Sequence, residues 1–167
     1  MNNKEFHTVR GYQLLEQNKK LLTSALEDYL EMIYRNSNKT GYLRINRLAE
    51  LLNVKASSAS KMVKRLGELG LLNYEKYGII ILTDSGREIG DFLLSRHEII
   101  EKFLRTIGIN GNLLVETELI EHNISSNTLK NIKMLNAFLE QKPEIIAMFE
   151  EFKAAQEADG TGQQESS

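Results

Sequence analysis

Residues 45–82, "INRLAELLNVKASSASKMVKRLGELGLLNYEKYGIIIL", leave few folds open to this chain. Ile45, Leu48, Ala49 and Leu52 recur at helical spacing, and Asn53-Val54 follows as a turn. The stretch 55–69 repeats the helical pattern, with Ala59, Met62, Val63 and Leu66 on its apolar side. Gly70 then stands where a helix ends on a left-handed residue. "LLNYEKYGIIILT" (71–83) is rich in β-branched and aromatic residues around Gly78, which predicts two short strands joined by a loop. Upstream, from Thr23, the residues Leu26, Tyr29, Leu30, Ile33 and Tyr34 predict another helix, stopped by "NSNKTG" at 36–41. Three helices with a tight turn between the second and third, then a β-hairpin, is the order of a winged helix-turn-helix.

That order implies a third helix lying in the major groove of DNA. Its outward residues suit the task, because small hydroxyls allow close approach and cations neutralise phosphate. The expected DNA-contacting set is Lys55, Ser57, Ser58, Ser60, Lys61, Lys64 and Arg65, with Lys76 from the hairpin. From Arg44 to Lys76 there are seven Lys/Arg against three Asp/Glu. The alternative is an ordinary helical hairpin with a basic solvated face. Charge is lopsided at the scale of the whole chain as well: residues 1–82 carry a net +5 and residues 83–167 a net −7. One half suits a polyanion and the other suits cations.

Further on, "DSGREIGDFLLSRHEIIEKFLRTIG" (84–108) predicts a long helix broken by "NGN". Two more helices follow, over the segment containing "ETELIEH" (116–122) and over "SSNTLKNIKMLNAFLEQ" (125–141). Pro143, the only proline, suits the first turn of a last helix bearing Ile145, Met148, Phe149 and Phe152. These apolar positions exceed what one small helical layer can bury, which implies a homodimer. The expected organisation is an N-terminal extension over 1–22, a winged helix-turn-helix over 23–83, a helical metal-binding and dimerisation domain over 84–156, and a disordered tail over 157–167. The fold class is mostly α with a small β wing. No apolar run is long enough to span a membrane, and the first residues lack the apolar stretch of a signal peptide. A cytoplasmic location follows as the expectation. With no cysteine, disulfides, thiolate nucleophiles and Cys-based metal sites are excluded.

"ETELIEH" places Glu118, Glu121 and His122 at i, i+3 and i+4, on one helical face. Asp28 and Glu31 form a second such pair on the first long helix, and His97 lies in the middle of the long helix at 84–108. Such spacing is common on solvated surfaces. Taken together, however, these side chains could supply five or six oxygen and nitrogen ligands, a set suited to manganese or ferrous iron more than to zinc. Enzyme readings fail on spacing. "HEIIE" (97–101) has Glu101 where a zinc protease needs its second histidine, and neither carboxylate pair has the repeated Glu-x-x-His of a di-iron bundle.

Several segments together resemble the manganese transport regulators of the diphtheria toxin repressor family. They are "LEDYLEMIY" (26–34), "LNVKASSASKMVKRL" (52–66), "YEKYGIIILTDSGREIG" (74–90), "RHEIIEKFLRTIGI" (96–109) and "ELIEHNIS" (118–125). The resemblance covers about residues 23–140 and implies a metal-activated dimeric repressor that binds double-stranded operator DNA and controls metal-uptake genes. It further implies a metal site of Asp28, Glu31, His97, Glu118, Glu121 and His122, with Mn(II) as cofactor and Fe(II) as the alternative. No membrane and no small organic substrate belong to that picture. The iron-responsive branch carries Met in place of Asp28 and Cys in place of Glu118; carboxylates there make the site harder and favour manganese. That branch's ancillary site is incomplete here, with Leu114 at a histidine position although Glu101 is retained. Ala56 departs from the proline frequent in relatives. The competing expectations are an iron-responsive repressor of the same family and a winged-helix regulator sensing an organic ligand.

Overall fold

The computed structural model describes residues 11–17 and 21–161. The chain divides into two compact units, Met1–Arg96 and His97–Ser167. The division falls inside the long helix rather than at its start near residue 84, because the first half of that helix buries its apolar face within the first unit.

In the first unit, helical residues 11–17 (α1) are followed by α2 (Ser24–Ser37), β1 (Leu43–Arg44), α3 (Ile45–Leu51), α4 (Ala56–Glu68), β2 (Leu72–Glu75), β3 (Ile79–Leu82) and the beginning of α5 (Asp84–Thr106). Thr23 caps α2 by accepting from the Leu26 N–H through its hydroxyl, which satisfies one of the orphan donors of a helix start. Leu26, Leu30 and Ile33 then point into the core. Between α3 and α4 the chain reverses through Asn53, whose φ of 52° lies in the left-handed region. That turn brings Leu48 and Ala49 into one core with Ala59, Val63 and Leu66. Gly70 ends α4 at φ +72°. Its N–H reaches Gly67 O, and the N–H of Leu71 reaches Leu66 O, the paired bonds of a Schellman termination.

The hairpin expected over 71–83 is β2 and β3, antiparallel, with Leu72 opposite Leu82 and Glu75 opposite Ile79. Among the described residues the sheet has a third strand, β1, so that the order is β1-β3-β2. At two residues long, β1 has no alternation for a sequence reading to detect. The first half of α5 closes the core with Ile89, Phe92 and Leu93. Its Gly90 lies so near Tyr34 that an added Cβ would fall 2.6 Å from the tyrosine Cβ. The Arg96 guanidinium donates to Glu27 at 2.8 Å, and both side chains are nearly buried. Part of the stretch expected as an extension also belongs to this unit: Leu15 and Leu22 are buried, and Tyr12 meets Phe92 edge-on at 5.6 Å. The rest of that extension, 1–10 and 18–20, lies outside the described residues.

The second unit holds the end of α5, then α6 (Leu113–Glu121), α7 (Ser126–Glu140) and α8 (Pro143–Thr161). Ser125 caps α7 through its hydroxyl, and Pro143 takes the first helical position of α8, where its missing N–H costs nothing. Lys153 on α8 donates to Ile107 O at the end of α5. Asn136 on α7 donates to Ile99 O, and Lys102 pairs with Glu140. Buried apolar side chains here are Ile100, Leu104 and Leu129. By contrast Leu119, Met134, Phe138, Met148 and Phe152 remain largely exposed. α8 runs to Thr161, so its end occupies part of the 157–167 stretch expected to be a tail. Ala154, Ala155, Gln156, Glu157 and Ala158 are good helix formers and carry the helix through. Residues 162–167 lie outside the described residues.

Candidate metal centre and nucleic-acid interface

The acidic stretch on α6 owes its geometry to a single helical turn. Glu118 and Glu121 lie on α6, and His122 is its C-terminal cap residue, still with helical φ and ψ of −75° and −16°. The i, i+3, i+4 relation read from the sequence is therefore kept. Burial separates the three: Glu118 is exposed, His122 is partly covered, and the Glu121 side chain is only 2% exposed.

Glu121 and His97 meet. His97 Nδ1 stands 3.1 Å from Glu121 Oε2, and the other carboxylate oxygen, Oε1, is 3.9 Å from His122 Nε2. A carboxylate with this little exposure must be compensated by hydrogen bonds or by positive charge. Here two imidazoles crowd its two oxygens. The Nδ1 of His97 donates when it carries its proton; without that proton it is a ligand atom. The nitrogen and oxygen donors of this cluster, free of sulfur, fit a divalent first-row ion of the manganese or ferrous type. Around the far side of His97, Glu101 Oε2 lies 3.8 Å from Nε2, and Arg105 donates to Glu101 at 2.5 Å. Glu101 is thus already engaged.

Asp28 and Glu31 occupy one face of α2 in the first unit. Asp28 is exposed. Glu31 is only 12% exposed and accepts from the Arg35 guanidinium at 2.7 Å. Of the six ligands expected, Glu121 approaches both His97 and His122 inside the second unit, with Glu118 one turn away on the same helix. The Arg35 partnership went unread, although the Glu-x-x-x-Arg spacing announces it.

The set expected to face DNA takes its exposure mainly from α4. Lys55, Ser57, Ser58, Lys61, Lys64 and Arg65 are exposed, while Ala59, Val63 and Leu66 are buried on the opposite side. Met62 is partly covered. Lys76 is exposed at the hairpin turn. Two residues are less available than expected. Ser60 Oγ lies 3.2 Å from the Tyr74 hydroxyl, which ties α4 to β2. Arg65 donates to Glu68 at 2.8 Å, an exposed pair that phosphate would compete away at little cost.

Comparison with known proteins agrees with both units. Residues 21–80 match the model of the iron dependent repressor N-terminal DNA binding domain. Residues 83–150 match the iron dependent repressor metal binding and dimerisation domain. The chain is 43% identical over 111 residues to the HTH-type transcriptional regulator MntR of Oceanobacillus iheyensis, covering 66% of this chain and 76% of that one. It is 39% identical over 132 residues to the MntR of Lysinibacillus sphaericus, covering 78% and 95%. Among solved structures, a manganese-dependent transcriptional repressor in complex with manganese is similar at a TM-score of 0.58 and 30% identity, over 68% of this chain and 53% of that one. The chain belongs to the iron dependent repressor family, as a DNA-binding regulator and not an enzyme.

Proposed function

We propose that this protein represses manganese-uptake genes, binding its operator as a homodimer when loaded with Mn(II) through Asp28, Glu31, His97, Glu118, Glu121 and His122. The observation that carries the reading is the buried Glu121 carboxylate, held between the imidazoles of His97 and His122. Carboxylate ligands at Asp28 and Glu118, where softer sulfur stands in the iron-responsive branch, favour manganese over iron. Support from relatives is of the same kind: those named MntR, and a similar repressor solved with manganese.

The residues' own work is electrostatic. Bringing Asp28 and Glu31 toward Glu118 and Glu121 costs repulsion among four carboxylates. A bound divalent cation supplies the positive charge that offsets it. Asp28 and Glu31 belong to the helix that packs behind α4, so fixing them fixes the DNA-reading unit in the operator-competent conformer. Loading and operator binding then raise one another. The large exposed apolar side chains of α6, α7 and α8 fit the dimerisation role of the matched domain. No helix among the described residues is long and apolar enough to cross a membrane.

Glu118→Ala and His122→Ala test the assignment. Both variants should remain dimeric and should lose manganese-stimulated operator binding in fluorescence anisotropy. A wild-type manganese response in both rules the site out. Chelator-indifferent binding by the wild type would instead favour a regulator sensing an organic ligand.

A further inference from the structure

Polar links near both ends of α2 join it to α5, and the one at the start of α2 is a nearly buried ion pair. Tyr34 donates to Asp91, and Arg96 donates to Glu27 at 2.8 Å. Along α2 the links run from Glu27 to Tyr34, and along α5 from Arg96 back to Asp91, so the two helices lie antiparallel. Gly90 lets them close on each other, since a Cβ there would fall 2.6 Å from the Tyr34 Cβ. The expected ligands Asp28 and Glu31 fall between the two links on α2, and His97 directly follows Arg96 on α5. Arg96 is also the last residue of the first unit. The ion pair therefore clamps α5 at the point where it leaves that unit.

Stability alone does not account for such a pair. The Arg96 and Glu27 side chains are 6% and 12% exposed, and desolvating both charges offsets much of their attraction. An apolar pair of similar volume would hold the helices together as well. It would not fix their register, because apolar contact is non-directional. A charged hydrogen bond between guanidinium and carboxylate holds one geometry, and sliding α2 along α5 would separate the two charges in a dry setting.

We infer that Glu27 and Arg96 are positioning residues for the metal response: their ion pair locks the register of α2 on α5, so that the α2 ligands and His97 move as one body. Neither side chain is a ligand. The inference rests on the proposed metal control and names residues outside the six ligands on which that control depends. The lock fixes the height at which α2 offers Asp28 and Glu31, and α2 packs against α4. Without it, α2 takes several registers on α5, and an ion held by the second-unit ligands no longer selects one of them.

The test separates register from stability. Arg96→Ala leaves a buried carboxylate without its cation and should destabilise the fold. The informative variant is the double substitution Glu27→Leu with Arg96→Met, which removes both charges at similar volume. Its urea unfolding midpoint, in the full-length protein, should match or exceed that of the wild type. Manganese should still bind the DNA-free double variant. With chelator present, both proteins should bind a duplex selected from random sequence by the wild type with equal affinity. Saturating manganese should raise wild-type affinity about tenfold or more, and that of the double variant about twofold or less. Arg96→Lys, which keeps a cation beside Glu27, should respond more strongly than the double variant. A double variant that responds to manganese as the wild type does overturns the inference. So does a lost response accompanied by a lower unfolding midpoint, since the pair would then be structural. An Arg96→Lys response no greater than the double variant's counts against it equally. A wild type that gains nothing from manganese overturns the metal-control reading itself and this inference with it, whereas the other outcomes bear on the ion pair alone.

Discussion

Tyr34 shows how single residues hold the first unit together. Its hydroxyl donates to Asp91 Oδ1 at 2.7 Å, joining α2 to α5. Burial, followed by that hydrogen bond to Asp91, pushes the phenol from its ordinary 10.0 up to about 12. The neutral phenol is thus favoured in the folded state, and the stability it contributes is whole below pH 10 and is lost as pH rises toward 12. Tyr34→Phe should cost about 1 kcal/mol at neutral pH, the worth of one part-buried hydrogen bond, and should flatten the loss of stability between pH 10 and 12. Urea denaturation of both proteins at pH 7, 10 and 11.5 measures this. A variant as stable as the wild type at pH 7 contradicts it. The sequence marks Tyr34 as an apolar-face residue by its spacing, but Asp91 is 57 residues away, and no periodicity reports a partner at that distance. His97 is similar: the residues offer it as a candidate ligand and the family resemblance implies the same, whereas its contact with Glu121, 24 residues away, is a tertiary fact.

Helices α2 to α4 were legible because each has a period and a stop: Thr23 before α2, Asn53 in the turn, and Gly70 after α4. What escaped was short or decided by contact. β1 exists because Leu43 and Arg44 pair with Ile80 and Ile79, and α8 outlasts the boundary that composition suggested. The start of α4 offers a test of local reasoning. Ala56 is the first helical residue after Lys55, whose backbone is extended at φ −69° and ψ 142°. A proline at that position gives up no intrahelical donor, and the extended residue before it is the conformation proline prefers. Ala56→Pro should therefore stabilise the protein by about 0.4–1 kcal/mol by restricting the unfolded chain. Calorimetry decides it, and a lower melting temperature would mean that the Ala56 N–H or its surroundings matter to the fold.

At the scale of the molecule, two features shape the account. The second unit buries little apolar surface of its own and leaves large apolar side chains exposed, consistent with a fold completed by a second copy. The expected ligands are shared between the units: Asp28 and Glu31 belong to the one that carries α4, and His97, Glu118, Glu121 and His122 to the other. Metal binding can therefore persist in a variant that no longer transmits it. The most direct measurement is operator affinity of wild type and Asp28→Ala, each with saturating manganese and with chelator, alongside manganese binding to the DNA-free proteins. The wild type should gain roughly tenfold or more in operator affinity on loading, within the range of allosteric couplings. Asp28→Ala should still bind manganese, more weakly, through the second-unit ligands while gaining almost nothing in operator affinity. If Asp28→Ala responds to manganese as the wild type does, metal control of DNA binding does not run through α2.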